Sequence, residues 1–265
     1  MALMVANFSS TSTAQLVASR FLRFHVSVSD QGWGGYTSIS NSTLQILFVK
    51  PNTSNVEAET AFGSFIEFTR NATDAQTLSI YQTYPGFLDW YQAIFGSRTG
   101  QVGSAVEITS RLLPREIALR DPDRAAKLML SIDGGCTTNS VGGGAVADVD
   151  PLSTGLNPSW RASIAEVYSV ETWPEGSSAE TILKARNRLK GKTDILDKFT
   201  TDSAAYLNEA SLHEIDFKKS FFGSHYEKLK AVKDIYDSTS LFTVPLGVGS
   251  DDWDSELECR LNTRQ

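Results

Sequence analysis

The chain has 265 residues, 41% of them apolar and 21% charged, with a formal net charge of −7. A chain of that length can bury a sizeable core, and an aromatic content of 10% argues against disorder, because such side chains gain most from burial. The negative charge, with Lys and Arg scattered rather than clustered, excludes nucleic acid as the expected partner, and no apolar run of about 18 residues is present to span a membrane.

The predicted elements, taken in order, begin with a helix over residues 12–29 and strand character from Tyr36 to Val49. Ser54-Asn55-Val56-Glu57 has the Ser-x-x-Glu pattern that satisfies free amides at a helix start, and it introduces Ala58, Ala61, Phe62, Phe65 and Phe68 at helical spacing. A strand from Gln76 to Tyr84, helices over 86–97 and 122–130, and strands over 145–149 and 163–173 follow. A second capping pattern, Ser177-Ser178-Ala179-Glu180, opens a helix carrying Ile182, Leu183, Leu189, Leu196 and Phe199, which Gly191 is expected to divide. Ala204 to Asn208 reads as a strand, and Ser224-His225-Tyr226-Glu227 as a third cap, with a helix running to Asp237. Long helices between strands of unequal length predict an α+β fold: a largely antiparallel sheet with helices packed on one face. No repeat, linker or charge block divides the sequence, so residues 1–265 are expected to form a single domain.

Motifs for known chemistries are mostly missing. Gly191-Lys192-Thr193 imitates the end of a P-loop, but Arg186 stands at the position that needs glycine. Asp133-Gly134-Gly135 and Gly142-Gly143-Gly144 lack the strand–turn–helix setting of a dinucleotide site and read as turns. His25, His213 and His225 have no partner ligand at i, i+4, so no metal is expected; Cys136 and Cys259 are too few for a disulfide scaffold. Four Asn-x-Ser/Thr sequons, at Asn7, Asn41, Asn52 and Asn71, suit a secreted glycoprotein. The stretch Met1–Asn7 is no signal peptide, which suggests that an N-terminal portion is missing.

The informative region lies between Ala205 and Trp253. It contains Tyr206-Leu207-Asn208-Glu209, Asp216-Phe217, Phe221-Phe222-Gly223-Ser224-His225-Tyr226-Glu227-Lys228-Leu229, Lys233 with Tyr236-Asp237, Leu241-Phe242 and Gly247-Val248-Gly249-Ser250. This order resembles the C-terminal signature of the berberine-bridge-enzyme-like FAD-linked oxidoreductases. Upstream, Gly32-Trp33-Gly34-Gly35-Tyr36, Ser110-Arg111-Leu112-Leu113-Pro114-Arg115 and Leu156-Asn157-Pro158-Ser159-Trp160-Arg161 resemble fungal members of that family. Three positions depart from the pattern: His225 replaces an Asn, Ser238 a Pro, and Phe222 a Tyr.

The resemblance implies a substrate-binding domain ending in the berberine-bridge-type segment, about residues 203–253, with the family's flavin-binding domain expected to be absent. It implies FAD as cofactor and hydride transfer from a small organic substrate to flavin while a side chain takes a proton. Tyr206 and Glu209 are the candidate catalytic residues, and Asn208 and Tyr226 the candidate cofactor contacts. A strand would place Tyr206 and Asn208 on one face and Glu209 on the other. Tyr206 is equally open to being a core aromatic with a satisfied hydroxyl. The alternative function is a small-molecule-binding module without redox chemistry. Partners expected are a small-molecule substrate and either a separate flavin-binding half or a second copy, since a covering domain exposes an apolar face.

Overall fold

The computed structural model describes residues 1–96, 104–199, 202 and 204–261. Its elements are β1 (Ala2–Phe8), α1 (Thr11–Asp30), β2 (Gly34–Ile39), β3 (Thr43–Val49), α2 (Asn55–Arg70), β4 (Ala75–Tyr81) and α3 (Phe87–Phe95). They continue with β5 (Ser104–Pro114), α4 (Arg115–Arg120), α5 (Pro122–Leu130), β6 (Cys136–Ser140), α6 (Gly144–Ala147), α7 (Ser159–Ala162), β7 (Ser163–Pro174), α8 (Ala179–Leu196) and α9 (Tyr226–Tyr236). The strands form a seven-stranded sheet in the order β4-β1-β3-β2-β6-β7-β5. Every neighbouring pair is antiparallel, as the α+β expectation requires.

One sheet face carries the core. Alternate residues Met4, Ala6 and Phe8 of β1 and Leu44, Ile46 and Phe48 of β3 are buried against Val17, Phe21 and Leu22 of α1 and Phe62 and Phe65 of α2. Burying a Phe or Leu side chain is worth about 1.5–3 kcal/mol, so these rings dominate the core. Phe62 packs edge-on against Trp33, Phe24 and Phe48. Further along, α5, α8 and Phe199 close the same layer over Ala165 and Val167 of β7. The short helix α3 is the exception, lying over the opposite face with Phe95 edge-on to Tyr36 of β2.

Several expectations change at the level of local structure. The stretch 36–49 is a hairpin, because Ser40 Oγ accepts the amides of Ser42 and Thr43 and closes a turn. Residues 145–149 are not a strand: Gly143 and Gly144 take positive φ, the Gly144 amide donates to Asp30, and the Ala-rich stretch continues as α6. Gly191 does not break α8, which runs unbroken through it. Helix α8 is capped by Ser178, with its hydroxyl accepting from the Thr181 amide, rather than by Ser177. Ser224 does not cap α9, since it sits in the 3-10 turn Gly223–His225. Only the Ser54–Glu57 capping box is formed as read.

The most consequential change concerns Ala204–Asn208. This is not a sheet strand. The Leu112 amide donates to Ala204 O at 2.7 Å, tying the segment to the β5 edge, and Leu207–Glu209 then turns as a 3-10 helix closed by Glu209 N–H to Tyr206 O at 2.9 Å. The strands missed in the sequence are β1, β5 and β6, which lack a clear local strand pattern and are decided by pairing with their neighbours in the sheet.

Candidate functional site

The sheet face opposite the core presents side chains in two rows fixed by strand register. One row crosses Leu3, Leu47, Tyr36, Asn139, Glu166 and Leu112; the next crosses Val5, Gln45, Ser38, Thr137, Tyr168 and Ser110. The rows are apolar at the β1–β3 end and polar at the β6–β7 end. Because strand residues alternate, this face is made of the residues that the core did not take.

Where the polar end meets the turn after Tyr206, two carboxylates converge. Asn139 Nδ2 donates to Glu166 Oε2 at 3.0 Å and to Glu209 Oε2 at 3.3 Å. Glu166 is 1% exposed. Its carboxyl is pushed up to about 7, first by burial and then by the negative charge of Glu209. Burial also raises the Tyr168 phenol. Glu166 Oε1 and Asn139 Oδ1 are buried without a hydrogen-bond partner, a costly state that a bound donor would relieve.

In front of this cluster lies a cavity of about 460 Å³. Its walls include Tyr36 and Tyr168 from the sheet and Phe87, Trp90, Tyr91 and Phe95 from α3, with Asn139 and Glu209 at the polar end. Glu209 is the one charged side chain lining it among the described residues. The rings of α3 hold one another: Phe87 stacks on Tyr91 and Trp90 meets Phe95 edge-on.

Of the four residues singled out in the sequence, the structure brings Glu209 to the cavity and sends the others elsewhere. Tyr206 packs edge-on against Trp160, and its hydroxyl accepts from Asn208 Nδ2 at 2.7 Å. Tyr226 is buried, with its hydroxyl held by Asp251 and by the Gly249 amide, so it ties the terminal segment together. Burial and the Asp251 carboxylate push its phenol above the ordinary range. Asn157, from the upstream signature, donates to the carbonyls of Lys219 and Ser220 and closely faces Gly223, so two separate sequence signatures meet in space. Sequence reading missed Glu166 and Asn139. The available signal for Glu166 was an acid at the parity of Tyr168, flanked by the apolar run Ile164-Ala165 and Val167 of the same strand.

The titration of Glu166 has a consequence for stability. A carboxyl whose pKa is about 4.5 in the unfolded chain and about 7 when folded binds its proton more tightly in the native state. Native stability contributed at this site is therefore full at low pH and falls as pH rises through about 7. Glu166→Gln is expected to leave stability near pH 4 unchanged and to raise it at pH 8 by about 1–3 kcal/mol. Urea titrations at the two pH values check this, and an equal effect at both would rule the assignment out.

Residues 205–249 match the family model described as "Berberine and berberine like". The chain is 30% identical to flavin-dependent oxygenase ucdF of Aspergillus ustus over 240 residues, covering 84% of this chain and 40% of that protein. It is 28% identical to FAD-linked oxidoreductase patO of Aspergillus clavatus over 218 residues, covering 80% of this chain and 37% of that one. The chain thus spans less than half the length of these relatives. Among solved structures, the VAO-type flavoprotein MtVAO713 from Myceliophthora thermophila C1 superposes with a TM-score of 0.81 at 23% identity, over 95% of this chain and 48% of that one. Berberine bridge enzyme from Eschscholzia californica gives 0.65 at 15% identity, over 93% and 55%. The terminal signature, the fold and the fungal flavoprotein relatives agree: residues 205–249 carry the berberine-type segment, and over most of its length the chain is similar to part of the berberine-bridge-enzyme-like FAD-linked oxidoreductases.

Proposed function

We propose that this chain supplies the substrate wall of an FAD-linked oxidoreductase, with the open sheet face covering the reacting pair and Glu209 accepting the substrate proton. The observation that carries the reading is the carboxylate cluster at the end of an aromatic cavity, on the face the core leaves free. Bound FAD would supply the hydride acceptor. The residues present suit a planar ring, since Leu3, Val5, Leu47 and Tyr36 form a flat apolar band. They do not suit the diphosphate: the Gly142–Gly144 turn is taken up by the Asp30 carboxylate, and Lys192 is engaged by Glu171 and the Val170 carbonyl. The diphosphate is therefore assigned no contact among the described residues, and no step is routed through the cofactor.

What this chain does is bind, orient and take a proton. The aromatic walls hold a ring-bearing substrate by stacking. With Glu209 as the one charged group on the walls among the described residues, a hydroxyl or amine donor is drawn to the polar end. Glu209 meets that donor first, and Glu166 lies behind it at a pKa near neutral pH, where proton transfer is efficient. Tyr206 and Asn208, bonded to each other beside the turn, brace the Glu209 backbone. The four sequon asparagines, Asn7, Asn41, Asn52 and Asn71, all lie on the surface and are compatible with glycosylation along the secretory route. No helix among the described residues is long and apolar enough to cross a membrane.

The test is anaerobic. The protein, expressed with any contiguous coding sequence and loaded with FAD, should lose its visible flavin absorbance when a ring-bearing alcohol, phenol or amine is added. Flavin that is retained but never bleached by any of these classes would favour the second reading, a small-molecule-binding module without redox chemistry. That reading draws on the Gly142–Gly144 turn and Lys192 both being engaged within this chain.

A further inference from the structure

A buried acid, Glu166, facing a half-buried one, Glu209, with no cation against them among the described residues is normally a liability, so what holds the two together needs an explanation. Each charge raises the cost of the other, and burial adds to it. None of the groups that move the titration of Glu166 is a cation: they are Asn139 on β6, Ser110 on β5 and Glu209 in the turn. Tyr168, two residues along β7, and Tyr36, across β2, are phenols in the same field. Asn139 and Ser110 favour the charged carboxylate of Glu166, and of the two only the Asn139 side-chain amide reaches both carboxylates through its single nitrogen. Asn139 is held by register, opposite Tyr36 on one side and Glu166 on the other, so its amide cannot move toward one acid without leaving the other.

We propose that Asn139 is the positioning residue of a one-proton carboxylate pair: its amide holds Glu166 and Glu209 close enough that between them they keep a single proton, leaving Glu209 ionised toward the cavity. The physical logic is that of like charges sharing a site, in which the first proton leaves easily and the second is retained. The protonated partner donates its O–H to the other carboxylate, and the amide N–H groups satisfy the oxygens that would otherwise be bare. Because Glu209 lines the cavity and Glu166 does not, the ionised member is the one that meets substrate. This inference rests on the reading of the open face as the reaction site.

The test has two arms that fail separately. In the first, infrared spectroscopy of the unliganded protein follows the protonated carboxyl band of Glu166, identified by its loss in Glu166→Gln. The wild-type midpoint should lie near 7. Glu209→Gln should bring it down by about one pH unit, because the neighbouring charge is gone, and Asn139→Leu should raise it by about as much, because the amide is gone. Opposite signs are the signature, since a purely structural role for Asn139 would move neither midpoint in this way. Asn139→Ser, which also removes the bridging amide, replaces the leucine variant if that one does not fold. A midpoint unchanged in Glu209→Gln, or unchanged on removal of the amide, overturns the proposal. In the second arm, the acidic limb of the kcat profile of the flavin-loaded protein should move with the infrared midpoint in the Asn139 variant while KM stays within about threefold. If the infrared shifts occur without any turnover, the carboxylate pair stands and the oxidoreductase reading fails.

Discussion

Arg111→Met is expected to cost the fold about 3–5 kcal/mol, one of the largest effects of any single substitution in this chain. The Arg111 guanidinium is 3% exposed on β5. Its Nε donates to Asp197 at the end of α8 at 2.6 Å, its Nη1 to the Ser110 carbonyl at 2.8 Å, and its Nη2 pairs with Glu214 at 3.0 Å. One side chain therefore joins the edge strand, the last long helix of the layer and the terminal segment. Methionine keeps much of the stem volume but leaves the Glu214 carboxylate, with its side chain 7% exposed, supported among the described residues by Ser220 Oγ alone. Asp197 is half-exposed and loses little. For a chain of this size each kcal/mol moves the melting temperature by roughly 2–4 °C, so the transition should fall by about 10 °C in a circular-dichroism melt. Arg111→Met combined with Glu214→Gln should recover most of the loss, because the cost lies in the stranded charge rather than in the missing contact. A double variant as unstable as the single one would show the reasoning to be wrong.

The second large effect concerns turnover. Glu209→Gln should lower kcat of the flavin-loaded protein by about 10²–10⁴-fold, the usual contribution of a positioned base, with little change in KM. Glutamine preserves the Asn139 side of the contact through its carbonyl oxygen and removes only the ability to accept a proton. Tyr206→Phe should cost about tenfold or less, because the Tyr206 hydroxyl is spent on Asn208 and its ring on Trp160. Rates of flavin reduction measured by stopped flow separate the two variants. Equal losses at both positions would move the proton acceptor from Glu209 to Tyr206.

Much of this molecule could be read from its amino acids. The Ser54–Glu57 box, the helical spacing of Phe62 and Phe65, and the long strand 163–173 depend on neighbours within a few residues, so local chemistry states them and the structure repeats them. The ordered signature after Ala205 likewise named the family, because Asn157, Gly223 and Tyr226 are needed to fold that segment on itself. Tertiary structure decided the rest. Strands β1, β5 and β6 form because neighbours in the sheet pair with them, and the chain turns at Tyr206 once the β5 edge has taken the Ala204 carbonyl. Above all, Glu166 and Asn139 look like ordinary polar residues in sequence, 27 positions apart. Only the β6–β7 register puts them side by side, and only burial beside Glu209 gives the carboxyl its near-neutral titration, since desolvation and like charge belong to a place in the fold and not to a residue type.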